Sequence, residues 1–186
     1  EQMWMNISNQ EKRLWLTPAI YLWFMEKGFE KFFTFGFYDM YFNRATLSPT
    51  RDHYVNAIFQ NQVRACDQYI GKLTFEGDAA FTVRHQLKRT DGKILTVIGS
   101  EVGANDLVLA KQNHITAVDL MGHTIPVKMD DIQVKCTVSD MAYIISDQPL
   151  VITNVRQSGV TPLMANGSFE DVTGDIDMAG LQAGKA

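Results

Sequence analysis

Apolar and polar positions follow two different periods along this chain, and the change falls near residue 75. Before it, two aromatic-rich stretches carry apolar residues at three- and four-residue spacing. After it, short runs alternate apolar with polar, broken by glycine-containing turns, to about residue 155. The first spacing puts side chains on one face of a helix, and the second puts them on one face of a strand. Helices followed by a meander of strands predict an α+β domain, with N-terminal helices packed on a curved antiparallel sheet. That order disfavours a parallel-sheet nucleotide enzyme.

The first helix is expected to open at Thr17-Pro18, an N-cap followed by proline where its missing N–H costs nothing. Ile20, Trp23, Phe24, Phe32, Phe33, Tyr38, Tyr41 and Phe42 keep the helical spacing. Gly28 and Gly36 interrupt it, which reads as two shorter helices or one closely packed at its glycines. Ser48-Pro49 repeats the start signal. The stripe Val55, Ile58, Phe59, Gln62, Val63, Cys66 and Ile70 then predicts a helix that stops at Gly71.

In the second half, Phe81, Val83, His85 and Leu87 alternate with Thr82, Arg84, Gln86 and Lys88. Asp91-Gly92 then turns the chain into a second strand over 93–99, a hairpin signal. A short apolar piece covers 106–110. A second hairpin is expected over 114–129 about Met121-Gly122, and Ile132, Val134, Cys136 and Val138 alternate in a further strand. Residues 142–145 and 150–155 are expected to close the sheet. From Arg156 the chain turns to glycine, aspartate and small residues, which predicts a flexible C-terminal arm. The organisation expected is an N-terminal arm or helix end over 1–16, one α+β domain over 17–155 and the arm over 156–186.

Composition narrows the function. The chain has 186 residues, enough for one domain with a sizeable core, and its 46% hydrophobic and 20% charged residues are those of a globular protein. A net charge of −4 argues against a general nucleic-acid binder, so no nucleic-acid partner is expected. No run of about 18 uncharged apolar residues occurs, and the nearest stretch is broken by Glu26, Lys27, Glu30, Lys31 and Asp39. The first residue is Glu1, which reads as a processed or truncated part of something longer. Cys66 and Cys136 could bridge in an oxidising compartment. Each also fits the apolar stripe of its own element, and free buried thiols are the expectation.

Catalytic motifs are missing from the chain. The histidines His53, His85, His114 and His123 form no helical pair and stand beside no cysteine at zinc-ligand spacing, so no metal or cofactor is expected. His85 falls on the apolar face of its strand, where a hydrogen-bonded core imidazole is the usual occupant. The acidic stretch Glu170, Asp171, Asp175 and Asp177 lacks the closing glutamate and helices of a calcium-binding hand. Asp130-Asp131 reads as a turn. Gly99-Ser100-Glu101-Val102-Gly103 has no lysine behind it and reads as a loop rather than a phosphate cradle. The aromatic density from Trp15 to Phe59 stands out; it reads as a ring-packed core, a ligand pocket or a protein-binding face. Its candidate interaction or pocket residues are Trp23, Phe24, Phe33, Phe37, Tyr38, Tyr41 and Tyr54, with His85.

Two resemblances bear on this. Phe33-Thr34-Phe35-Gly36-Phe37-Tyr38, with Leu47-Ser48-Pro49 opening a helix, resembles the aromatic helix and the following helix start of TraE-type assembly factors of conjugative type IV secretion systems. Residues 10–18 look like the stretch after that family's membrane anchor, and 115–145 are similar to its strand pattern. The resemblance implies a nuclear-transport-factor-like fold and a non-enzymatic component of a membrane-associated machine. It also implies contacts with other subunits, homo-oligomerisation, a membrane anchor outside this sequence and a periplasmic or membrane-associated location. Residues 81–102, with Arg89-Thr90-Asp91-Gly92 at the turn, look like the final hairpin of PAS sensory domains. That resemblance implies a small molecule enclosed near Tyr38, Tyr54 and His85. A viral or other shell subunit is a further reading, and an enzyme built on His85 and a carboxylate is a distant one.

Overall fold

The computed structural model describes residues 16–29, 42–43, 45–78, 81–100 and 103–158. The fold is α+β and mostly sheet, and among the described residues helices α1 (Leu16–Glu26) and α2 (Arg51–Val63) precede ten strands. These are β1 (Cys66–Lys72), β2 (Phe81–Arg89), β3 (Ile94–Ser100), β4 (Asn105–Ala110), β5 (Ile115–Asp119), β6 (Thr124–Ile125), β7 (Lys128–Met129), β8 (Gln133–Val138), β9 (Met141–Ser146) and β10 (Ile152–Gln157). The strands form two antiparallel sheets rather than one, a six-stranded sheet ordered β1-β2-β3-β9-β5-β6 and a four-stranded sheet ordered β10-β4-β8-β7.

Two cores hold three layers together. On one face of the larger sheet, Val83, Leu87, Leu95, Val97, Met141 and Tyr143 pack against Ala19 and Leu22 of α1 and Val55, Phe59 and Val63 of α2. On its other face, Phe81, Ile98, Ala142 and Ile144 meet Leu107, Leu109, Val134, Cys136, Val138 and Ile152 of the smaller sheet. Strand β3 is therefore buried at every position, because helices cover one side and a sheet covers the other. Two pairs of buried polar side chains meet each other: Gln86 Nε2 donates to Thr96 Oγ1 at 3.2 Å and Asn105 Nδ2 to Ser100 Oγ at 3.0 Å, whereas the buried Tyr143 hydroxyl has no hydrogen-bond partner among the described residues.

The predicted elements shift at several places. Thr17 and Pro18 lie within α1, and Gly28, at φ 78°, follows its end as expected of an interrupting glycine. Ser48-Pro49 does not open α2; Thr50, in extended backbone, precedes Arg51, while Pro49 bridges Phe42. The second helix stops at Val63, and Cys66, Ile70 and Gly71 belong to β1. The pairing of β1 with β2 slips between Cys66 and Gln68 and again between Tyr69 and Gly71. Each slip inserts a residue, so Cys66 and Tyr69 both pack on the helix-side core at a three-residue spacing that imitates a helix. The hairpin about Asp91-Gly92 and the strand of Val134, Cys136 and Val138 stand where expected, although Ile132 falls outside that strand. The stretch 124–129 divides between the two sheets, Gly99 and Ser100 end β3 rather than forming a loop, and β10 extends through Arg156 and Gln157. Residues 159–186, including the acidic stretch, and 1–15 lie outside the described residues.

The turn from β5 to β6 seats α2. Gly122 takes φ 84°, and a Cβ there would lie 2.9 Å from Ile58 Cδ1. Gly122→Ala is expected to lower stability by about 1–2 kcal/mol, mainly through backbone strain, because the Ile58 methyl can move aside. Urea unfolding reads this directly, and an unchanged midpoint would show that the turn re-forms with another geometry.

Candidate functional site

The strongest cluster of titratable groups lies where the end of α1 meets β1 and β2. Strand alternation sends Val83, His85 and Leu87 toward the helices, so His85 is buried in an otherwise apolar row. Tyr69 of β1 comes alongside, with its hydroxyl 2.9 Å from His85 Nδ1 and the ring centroids 5.8 Å apart. Glu26 on the last turn of α1 lies 2.8 Å from Lys72 Nζ, bridging α1 to β1. Arg84, next to His85 in sequence, faces Asp78 at 3.3 Å.

Electrostatics set the protonation of this cluster. Burial, reinforced by Lys72 and Arg84 and opposed by Glu26, pushes the imidazole of His85 down to about 4. Burial, with Glu26 behind it, pushes the Tyr69 phenol up to about 12. Burial works to raise the Glu26 carboxyl, but its hydrogen bond to Lys72 and the charges of Lys72, Lys27 and His85 outweigh that and leave it lowered. At neutral pH the cluster therefore holds a neutral imidazole, a protonated phenol and a carboxylate–ammonium pair. A general base works best with a pKa near the operating pH, and an imidazole at about 4 sits far below it. The geometry is that of a hydrogen-bonded core histidine. Glu26 acts on His85 through its charge alone, and the carboxylate itself is paired with Lys72.

The remaining candidate residues are dispersed. Trp23 and Tyr54 are exposed, at 41% and 51%. Phe24 is half-buried, with its ring 5.1 Å from Trp23 and 5.0 Å from Phe29. Lys27 Nζ stands 5.9 Å over the Trp23 ring. Tyr54 rests edge-on against His53, which also lies 5.2 Å from the Phe42 ring, while His85 rests against Tyr69. Tyr54 and His85 thus sit in separate contacts. Phe33, Phe37, Tyr38 and Tyr41 lie outside the described residues. Sequence reasoning missed Tyr69 as the partner of His85, and the Glu26–Lys72 pair whose charges act on it, because the bulged strand that carries Tyr69 was read as a helix end.

Other chemistry-bearing groups are quiet. His114 pairs with Asp147 at 3.1 Å and His123 with Asp119 at 3.0 Å, both on the surface. Asp130 Oδ1 accepts from the backbone N–H of Ile132 and Gln133, the turn role expected of it. Burial pushes the thiol of Cys66 up to about 11 and that of Cys136 up to about 12. Both are free thiols, and they belong to cores on opposite faces of the larger sheet. Among the described residues no group of three metal-ligating side chains converges, and no helix is long and apolar enough to cross a membrane. No protein-family model, curated protein or solved structure matches the chain.

Proposed function

We propose that this chain is a non-enzymatic structural subunit of a multi-protein assembly and acts through protein–protein contacts. The observation that carries this reading is the exposure of large apolar side chains on the helical layer. Trp23, Phe29 at 54% and Tyr54 face solvent, and none belongs to the core beneath them. Aromatic anchors of this kind concentrate at the centres of protein interfaces and dominate their energetics.

The finer reading is a type IV secretion or conjugation machine in a periplasmic or membrane-associated setting, with homo-oligomerisation, as the resemblance of 33–38 and 47–49 to TraE-type factors implies. A shell subunit is the second reading. The layered sheets favour it, since a sheet covered on both faces makes a rigid block that can bear contacts on several sides.

Crosslinked affinity purification of the whole protein from its native host, read by mass spectrometry, tests both. Fixed-ratio recovery of membrane and periplasmic subunits is expected for the first, and recovery of shell proteins for the second. A Trp23→Ser, Phe29→Ser double variant is expected to reduce recovery at least tenfold. Recovery of the protein alone would overturn the assembly reading.

A further inference from the structure

We infer that the acidic segment 170–177 of this chain docks back on the outer face of the smaller sheet, held there by Lys128, Lys135 and Arg156. That face is turned away from the larger sheet. Leu107, Val134 and Cys136 point inward to the shared core, so their neighbours along each strand point outward. Lys128 stands directly opposite Lys135, Lys135 opposite Val108, and Val108 opposite Asn154. Two residues further along the same face, Thr137, Asp106 and Arg156 form a second row. Residues opposite one another share a face, so three exposed cations lie on this one, spread across all four strands.

The charge of these cations is poorly met within the sheet. Like charges directly across an antiparallel pair repel, and Lys128 with Lys135 is such a pair. Lys135 meets Asp130 only at 3.9 Å, and the oxygens of Asp130 already accept from Ile132 N, Gln133 N and Gln133 Nε2. Arg156 lies opposite Asp106, yet Asp106 Oδ1 accepts from Thr137 Oγ1 at 2.6 Å. Among the described residues no carboxylate pairs with Lys128 or Arg156.

The chain itself carries the complement. Strand β10 ends at Gln157, one residue past Arg156. Residues 159–186 then hold four acids, Glu170, Asp171, Asp175 and Asp177, against one base, Lys185. An extended stretch the length of 159–169 reaches about 35 Å, whereas the four strands span about 15 Å. The tether is therefore long enough to bring the segment back over the face. Laid extended, the segment has Asp171, Asp175 and Asp177 on one side, because alternate residues share a side. A single surface ion pair is weak. Tethering raises the effective concentration of the segment at the face, so several such pairs together suffice to hold it.

The test is zero-length carbodiimide crosslinking of the whole protein, as an equal mixture of unlabelled and heavy-isotope-labelled chains, mapped by mass spectrometry. Intramolecular amide bonds from Lys128 or Lys135 to an acid within 170–177 are expected. Their yield should exceed that from the exposed Lys88 and Lys93, on the larger sheet, at least fivefold. Cleavage after Glu170 by a glutamate-specific protease supplies a second reading, with a free peptide of the same segment correcting for the protease itself. Cleavage is expected to be at least threefold faster in the Lys128→Gln, Lys135→Gln, Arg156→Gln variant. The same rise is expected for the wild type in about 1 M salt, where screening shortens to about 3 Å. An unchanged unfolding midpoint of the variant separates release of the segment from loss of the fold. Mixed-isotope crosslinks would overturn the proposal in favour of a second copy. Equal yields at all four lysines, no crosslink at Lys128 or Lys135, or unchanged cleavage in the variant would overturn it outright.

Discussion

Phe59→Ala is expected to remove about 3–5 kcal/mol of stability, the largest effect of any single change considered for this fold. Phe59 is fully buried on α2, with its ring 5.7 Å from Tyr21 and 6.4 Å from Tyr143 of the larger sheet. It joins both helices to the sheet, and Val55 and Val63 flank it one helical turn away on either side. The neighbours sit on a sheet that the second sheet backs from behind, so they have little freedom to collapse into the space. The loss therefore includes a cavity contribution as well as lost transfer energy. Phe59→Leu keeps most of the volume and is expected to lose about 1 kcal/mol. Urea unfolding followed by circular dichroism distinguishes the two. A loss below about 1.5 kcal/mol for alanine would show that α2 is not what seals this face.

Acidification should produce the second large effect. An unfolded histidine titrates near 6.5, whereas His85 in the folded chain is held near 4. Between those values the unfolded chain binds the proton and the folded chain does not, so stability must fall as pH falls through that window. The contribution is fully present above about 6.5, and the gap amounts to about 3 kcal/mol by the time pH reaches 4. His85→Gln keeps a group that can meet the Tyr69 hydroxyl but has nothing to titrate. Urea unfolding at pH 7 and pH 4.5 is expected to show the wild type losing about 2 kcal/mol more than the variant. Equal losses would mean that the imidazole charges in place. Glu26, lowered in the folded state, adds its own loss at lower pH, below its unfolded value of 4.5.

The fold class could be read from the sequence because two periods differ plainly: Val55, Phe59 and Val63 at four-residue steps, and Val134, Cys136 and Val138 at two. The division into two sheets was harder to see. Alternation tells which side of a strand is buried and says nothing of which sheet the strand joins. One signal was available, because 94–100 and 141–146 contain no charged residue, as expected for strands covered on both faces. At β1 the bulges gave Cys66 and Tyr69 the spacing of a helix. That hid Tyr69, the partner of His85, although the placement of His85 on the apolar face was legible from alternation alone.

The pairing of β3 with β9 has a consequence for how the chain reaches this state. Ile94 lies opposite Ser146 and Gly99 opposite Met141, so the centre of the larger sheet joins segments more than forty residues apart. Three strands of the smaller sheet, β4, β7 and β8, are synthesised inside that interval, and both cores rest on the seam. Such a closure is entropically late, and long-range strand pairing is slow. The hairpin of β2 and β3 can form early, but its free edge waits for β9. Until that strand arrives, the edge of β3 that it will pair carries unmatched backbone groups, and the newly made protein is then most open to the wrong neighbour.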